Sequence, residues 1–196
     1  MARPSGTERL EARRARLERH AAERDPAIVL SAAARFLQAQ SRSVDEVRRH
    51  LAAARYPAPL VEAAIARLVE LRILDDRAFA QAWVESRDRA RPRGRVALRR
   101  ELNLKGIDRE IVAEILAERS QTVWSDGRGE EGGSADADEA VAARLLSKSR
   151  ATLLRVADPR ARRQRAYALL ARNGFDPDVC REVSAGFCAV EPEAGG

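Results

Sequence analysis

Few side chains in this chain have the type and spacing for chemistry, and most of those are placed where they have nothing to act with. His20 and His50 are separated by 29 residues, and each reads as a surface or helix residue. Cys180 and Cys188 lie eight residues apart on one predicted helix. That puts them roughly 12 Å apart along its axis, too far for a disulfide, and they read as small core residues. Gly127, Gly129, Gly132 and Gly133 follow no strand and lack the Gly-Lys-Ser/Thr ending of a phosphate loop. Asp75-Asp76 has the composition of a metal pair, but helix capping and the helix dipole account for both carboxylates. No catalytic residue, cofactor or metal site is expected. What remains is the guanidinium group: Arg supplies 34 of the 36 positive side chains, at a net charge of +6. Arg donates two parallel hydrogen bonds to phosphate or carboxylate, so the available chemistry is recognition of an anionic partner.

The positive charge is unevenly spread. From Arg87 to Lys105 eight basic residues stand against Asp88 and Glu101. From Arg144 to Arg181 ten stand against Asp158, Asp176 and Asp178. At about 100° per residue, Arg93 and Arg100 lie opposite the apolar stripe of Leu98 and Leu102, with Arg95 and Arg99 flanking it, and all four are expected to reach solvent. The candidate partner-binding residues are therefore Arg93, Arg95, Arg99, Arg100 and Lys105 in the first stretch, and Arg160, Arg162, Arg163 and Arg165 in the second.

The elements that position these residues repeat. Val47, Leu51, Tyr56, Leu60 and Ala64 line up, at an offset of 51, with Leu98, Leu102, Ile107, Ile111 and Ile115. The second set lines up, at an offset of 68, with Ala166, Leu170, Phe175, Val179 and Val183. Each copy reads as an amphipathic helix, a tight connection and a second amphipathic helix. Gly106 and Gly174 mark equivalent helix stops, and Ser43 to Glu46 has the capping-box spacing. The expected fold is all-α, an elongated array of three tandem three-helix repeats. Repetition of this kind suits an extended partner better than a single catalytic centre.

The boundaries follow from punctuation. Residues 1–25 form a basic N-terminal tail, 26–74 the first repeat and 75–119 the second. Leu60, Ala64, Leu68 and Leu71 form one stripe in the first, and Phe79, Ala82 and Trp83 another in the second. Residues 120–137 are acidic and glycine-rich, the composition of a flexible linker that lets the third repeat, 138–190, move; 191–196 are a C-terminal tail. No apolar run approaches the roughly 20 residues of a membrane span, and no signal peptide is evident, so a cytoplasmic location is expected.

The ordered set Ala33-Arg35-Phe36-Leu37, Ser43 to Leu51, Leu71 to Ala80 with its Leu74-Asp75-Asp76-Arg77-Ala78-Phe79, Leu98 to Ile107, and Asn173 to Val179 resembles the RecX family of recombinase regulators. The resemblance covers about residues 27–190. It implies a helical, monomeric protein that acts on the RecA recombinase filament on single-stranded DNA. In that family the protein is thought to lie in the filament groove and to inhibit strand exchange, ATP hydrolysis and co-protease function. The insertion at 120–138 departs from the compact family pattern. The competing reading of the residues themselves is non-specific DNA binding, with the basic helices on the phosphate backbone. Sequence-specific reading is disfavoured, because the basic helix offers mainly Arg, with Asn103 alone suited to base edges.

Overall fold

The computed structural model describes residues 5–122 and 135–189. Among them there are helices and no strands: α1 (Gly6–Ala21), α2 (Pro26–Leu37), α3 (Val44–Ala53), α4 (Ala58–Glu70), α5 (Asp76–Ala90), α6 (Arg95–Leu104), α7 (Arg109–Thr122), α8 (Ala135–Lys148), α9 (Arg150–Leu154), α10 (Pro159–Arg172) and α11 (Pro177–Ala189). The expected linker is helical at both ends, up to Thr122 and from Ala135; the rest of it lies outside the described residues. The expected N-terminal tail contains α1, which opens with a capping box between Ser5 and Glu8. The C-terminal tail also lies outside the described residues.

The chain forms two compact units, one of the residues up to Phe79 with Lys105–Ile107, the other of Ala80–Leu104 and the residues from Asp108 onward. In the first, α2, α3 and α4 enclose Val29, Ala33, Val47, Leu51, Tyr56, Val61, Ala64, Ile65, Leu68 and Leu74. The capping box at the start of α3 forms as its spacing predicts, with Ser43 Oγ accepting from Glu46 N and the Glu46 carboxylate from Ser43 N. The buried stripe of α4 is turned from the expected one. It runs through Val61, Ala64, Ile65 and Leu68, and Leu71 is 47 % exposed. Leu71 falls just past the last helical residue, where the chain leaves the helix through Arg72 at φ 54°.

The second unit holds α6 and α7, most of α5, and α8 to α11. Leu98 and Leu102 of α6, and Val112, Ile115 and Leu116 of α7, are buried. On α5 the buried side is Phe79, Ala80 and Val84; Trp83 is half-buried at its edge and Ala82 faces solvent. A second core gathers Val141, Ala142 and Leu146 of α8 with Leu153, Ala166, Leu170, Phe175, Val179 and Cys180. The turn before α6 lies against the turn between α10 and α11, with Gly94 N donating to Asn173 O (3.0 Å) and Val96 N to Gly174 O (3.2 Å).

The repetition reaches the backbone. Arg55, Gly106 and Gly174 occupy the same repeat position and share a left-handed conformation, at φ 65°, 75° and 78°. Two of them are hemmed in: a Cβ on Gly174 would lie 2.4 Å from the Ala97 Cβ, and one on Gly106 2.4 Å from the Asp45 Cβ. Gly94 is constrained by close approach instead, since a Cβ there would lie 2.3 Å from Gly174 O. Arg55, with its side chain in solvent, carries only the left-handed strain. Gly94→Ala and Gly174→Ala are each expected to lower stability by about 2–4 kcal/mol, from overpacking and, at 174, added backbone strain. Arg55→Gly should stay within about 1 kcal/mol of the parent, as relieved strain offsets the freer unfolded chain. Urea unfolding midpoints measure all three.

Candidate partner-binding surface

The nine candidate residues do not share one environment. On α6, Arg99 and Arg100 are exposed, and with Val96 and Asn103 they occupy positions i, i+3, i+4 and i+7 of the solvent face. That face is not purely basic, because Val96 is 53 % exposed and neighbouring Leu104 69 %. Arg93 and Arg95 do not reach solvent as expected; both are half-buried, with Nε atoms inside the protein surface. Arg93 donates to Asn173 Oδ1 (3.0 Å) and sits 3.7 Å from the Glu101 carboxylate. Lys105 is committed to Glu46, Nζ to Oε1 at 2.7 Å. Arg87 is likewise spent on Glu101 (2.8 Å), which also accepts from Trp83 Nε1 (2.8 Å), while the Arg87 guanidinium stacks over the Trp83 ring. Much of the charge counted between Arg87 and Lys105 is thus internal.

On α10, Arg160, Arg163 and Arg165 are exposed, whereas Arg162 turns back to the carbonyls of Val156 (3.1 Å) and Ala157 (3.3 Å). The helical turn splits the exposed three between two faces. Arg160 and Arg163 line a hollow of about 270 Å³ with Tyr167 and Arg181, and Arg165 lines another of about 410 Å³ with Arg172 and Thr152. Asp158 caps α10, accepting from the N–H groups of Arg160 and Ala161 (both 3.1 Å). Cys180 is buried on α11 with its thiol pushed up by burial, and Cys188 is half-buried. His50 stacks on Phe36, with centroids 3.8 Å apart. Burial, helped by Arg42, lowers its affinity for a proton. No group of three or more His, Cys, Asp or Glu among the described residues is arranged to hold a metal ion, and no helix there is long and apolar enough to cross a membrane.

Sequence reasoning missed the residues that hold these helices in place. Arg119, with its side chain 6 % exposed, donates Nε and Nη2 to the Asp88 carboxylate (2.8 Å each), Nη1 to Asp138 Oδ1 (2.7 Å), and Nη2 also to Arg93 O (3.0 Å). Burial alone would weaken its hold on a proton. The bonds and charges of Asp88 and Asp138 outweigh that and raise it. The other oxygen of Asp138 accepts from Arg95 N at 2.9 Å, capping α6 from outside the helix. Asp76 does the same for α3, its Oδ1 accepting from Val44 N at 2.8 Å. Val44 and Arg95 are repeat-equivalent, offset by 51. Asp75 plays the expected capping role for its own helix, accepting from Ala78 N, but Asp76 caps a different one. The only local signal was an aspartate near the start of each following helix; partners 32 and 43 residues away leave none.

Comparison with known proteins places this architecture. A family model described as the second three-helix domain of RecX matches residues 75–116, and one for the first three-helix domain matches 30–68. The chain is 32 % identical over 160 residues to the regulatory protein RecX of Mycobacterium avium (strain 104), covering 81 % of this chain and 84 % of that protein. It is 30 % identical over 151 residues to the regulatory protein RecX of Chlorobium phaeobacteroides (strain BS1), covering 77 % and 87 %. The crystal structure of RecX from Lactobacillus salivarius superposes with a TM-score of 0.69 at 18 % identity, over 84 % of this chain and 97 % of that one. A second crystal structure, of a regulatory protein RecX, gives 0.64 at 20 % identity, over 82 % and 71 %.

One of the two capping aspartates, Asp76, yields a test by substitution. Burial, reinforced by Asp45 and Asp75, holds the Asp76 carboxyl above its ordinary value, although the Val44 N–H pulls it down. The folded state therefore binds this proton more tightly than the unfolded chain, so the charge costs stability above that value and the cost vanishes as pH falls through it. Asp76→Asn keeps an acceptor without the charge and should match or slightly exceed the parent at pH 7. Asp76→Ala strands the Val44 N–H and should cost about 1–2 kcal/mol. Thermal unfolding of the three proteins at pH 7 reads both differences.

Proposed function

Because the chain belongs to the RecX family, we propose that it is a regulatory protein that binds the RecA filament on single-stranded DNA and restrains recombination, ATP hydrolysis and co-protease function, without catalysing a reaction itself. On this reading it acts as a monomer in the filament groove during DNA repair. The repeats 26–74, 75–119 and 138–190 are its working units, and Arg99, Arg100, Arg160, Arg163 and Arg165 its contacts. Arg93, Arg95, Lys105 and Arg162 hold those contacts in place.

The observation that carries this reading over simple DNA binding is the α6 face, where two arginines share the surface with exposed Val96 and Leu104. A bare phosphate backbone gives apolar side chains nothing to bury against; a protein groove does. The α10 face favours a second contact of another kind. Its exposed arginines, with Tyr167 beside them, suit phosphate and nucleic-acid bases, so the DNA inside the filament can be gripped as well.

Binding to bare single-stranded DNA and to the same DNA coated with RecA and a slowly hydrolysed nucleotide tests the proposal, together with RecA's ATPase rate. Tighter binding to the coated DNA and a slowed ATPase are expected; equal affinity for both with an unchanged ATPase would overturn it. Reversing Arg99 and Arg100 to Glu should weaken filament binding at least about tenfold, roughly 1.4 kcal/mol, without altering the unfolding midpoint.

A further inference from the structure

Arg55 holds a left-handed conformation, at φ 65°, where both later repeats place glycine, Gly106 and Gly174. Glycine would hold this turn without strain. What the arginine adds is a guanidinium in solvent, and among the described residues that group has no hydrogen bond or ion pair. A strained backbone carrying a side chain that the fold does not use is a pattern of functional positions.

α1 supplies the rest of the setting. His20 Nδ1 lies 3.0 Å from Ala54 O, and the His20 ring stacks on Tyr56 with centroids 4.3 Å apart, so the helix is held to both neighbours of Arg55. Between helix and turn lies a hollow of about 410 Å³, lined by Leu10, Arg13, Arg14, Leu17, Glu18 and Arg55. Its one carboxylate is spent within α1, Glu18 accepting from Arg14 Nε at 2.9 Å. Arg13 and Arg55, both exposed, line the hollow with no counter-charge of their own among the described residues. The positive charge continues along the helix. At about 100° per residue, Arg9, Arg13 and Arg16 fall within about 60° of one another, a strip about 10 Å long. Arg9 and Arg16 are likewise exposed and unpaired among the described residues. Glu11 and Glu18 belong to the opposite side of α1, and Glu8 is used in the capping box with Ser5.

We propose that this hollow and strip bind the phosphodiester backbone of a nucleic acid, with Arg13 and Arg55 gripping a phosphate from the helix and from the turn, and Arg9 and Arg16 continuing the track. Guanidinium groups gathered on one face repel each other, and a polymer of regularly spaced phosphates offsets that repulsion along its whole length. The apolar part of the helix, Leu10 and Leu17, is too narrow for a lipid surface, and a protein would need a run of carboxylates to match the strip. The site goes beyond the filament reading and is carried by the first unit alone.

Fluorescence anisotropy of the full chain with a labelled oligothymidylate of about 15 nucleotides tests it. No RecA is present, so the outcome is separate from that of the filament experiment. Arg13→Ala and Arg55→Gly should each weaken binding about three- to tenfold at low salt, and lower the slope of log affinity against log salt by about one. Arg55→Gly is the more direct of the two, because it removes the guanidinium and keeps the turn. Arg35→Ala removes an exposed charge from α2 outside the hollow and should change affinity less than about twofold. Polyglutamate of matching length should compete poorly. No binding by the parent, parental affinity in Arg55→Gly, an equal loss in Arg35→Ala, or polyglutamate that competes as well as unlabelled oligothymidylate would overturn the proposal.

Discussion

The arrangement of these helices rests on a carboxylate that caps a helix it does not belong to. Every α-helix begins with N–H groups that have no intrahelical partner, and most helices satisfy them with a side chain one to three residues away. Here the middle helices of the first two repeats take a cap from the start of the next first helix, Asp76 for α3 and Asp138 for α6. A local cap orders one helix end; a distant one also joins segments far apart in the sequence. Asp138 is tied in turn to Arg119, whose other bonds reach Asp88 and the Arg93 carbonyl, so three helices and a turn meet on one buried guanidinium. Removing one partner from such a group is costly, since it leaves a buried charge unpaired.

That constraint changes what the positive charge can be used for. An array rich in Arg invites the view that every basic side chain is a contact, but the joint and its surroundings consume several of them. Arg119, Arg87, Arg93 and Lys105 each face a carboxylate inside the protein. Of the nine candidate residues, those left for a partner sit in two settings: Arg99 and Arg100 among exposed apolar residues on α6, and Arg160, Arg163 and Arg165 on the two sides of α10. Both settings mix guanidinium groups with other side chains, exposed Val96 and Leu104 on α6 and, on α10, Tyr167 beside Arg160 and Arg163 and Leu169 beside Arg165.

What could be read from the residues alone was local. The capping box at Ser43 is contained in four positions, and Gly106 and Gly174 announce helix stops because a left-handed turn favours glycine wherever it occurs. The threefold core pattern was legible for the same reason, being a matter of periodicity. Stripe edges were less so: Leu71 and Ala82 satisfy the helical spacing yet face solvent, because spacing identifies a face and not how much of it is covered. The joints were not legible, since Asp76 and Asp138 look like any acidic residue in a first helical turn. Nor was α1 itself, although Ser5 and Glu8 have the same capping spacing as Ser43 and Glu46. Of the candidate site, Arg99 and Arg100 face solvent as their helical phase suggested, and Arg160, Arg163 and Arg165 are exposed as well, while Arg93, Lys105 and Arg162 are turned inward to partners distant in sequence or to loop carbonyls and Arg95 is half-buried.

The distant caps can be observed directly at two amides. The first N–H groups of a helix ordinarily exchange rapidly with solvent, having no intrahelical bond to break. Amide hydrogen exchange followed by NMR at Val44 and Arg95 should instead find both protected. Asp76→Ala should remove protection at Val44 alone, and Asp138→Ala at Arg95 alone. Rapid exchange at these amides in the parent protein, or protection that survives the matching substitution, would contradict the idea that carboxylates from the following repeats hold these helices in register.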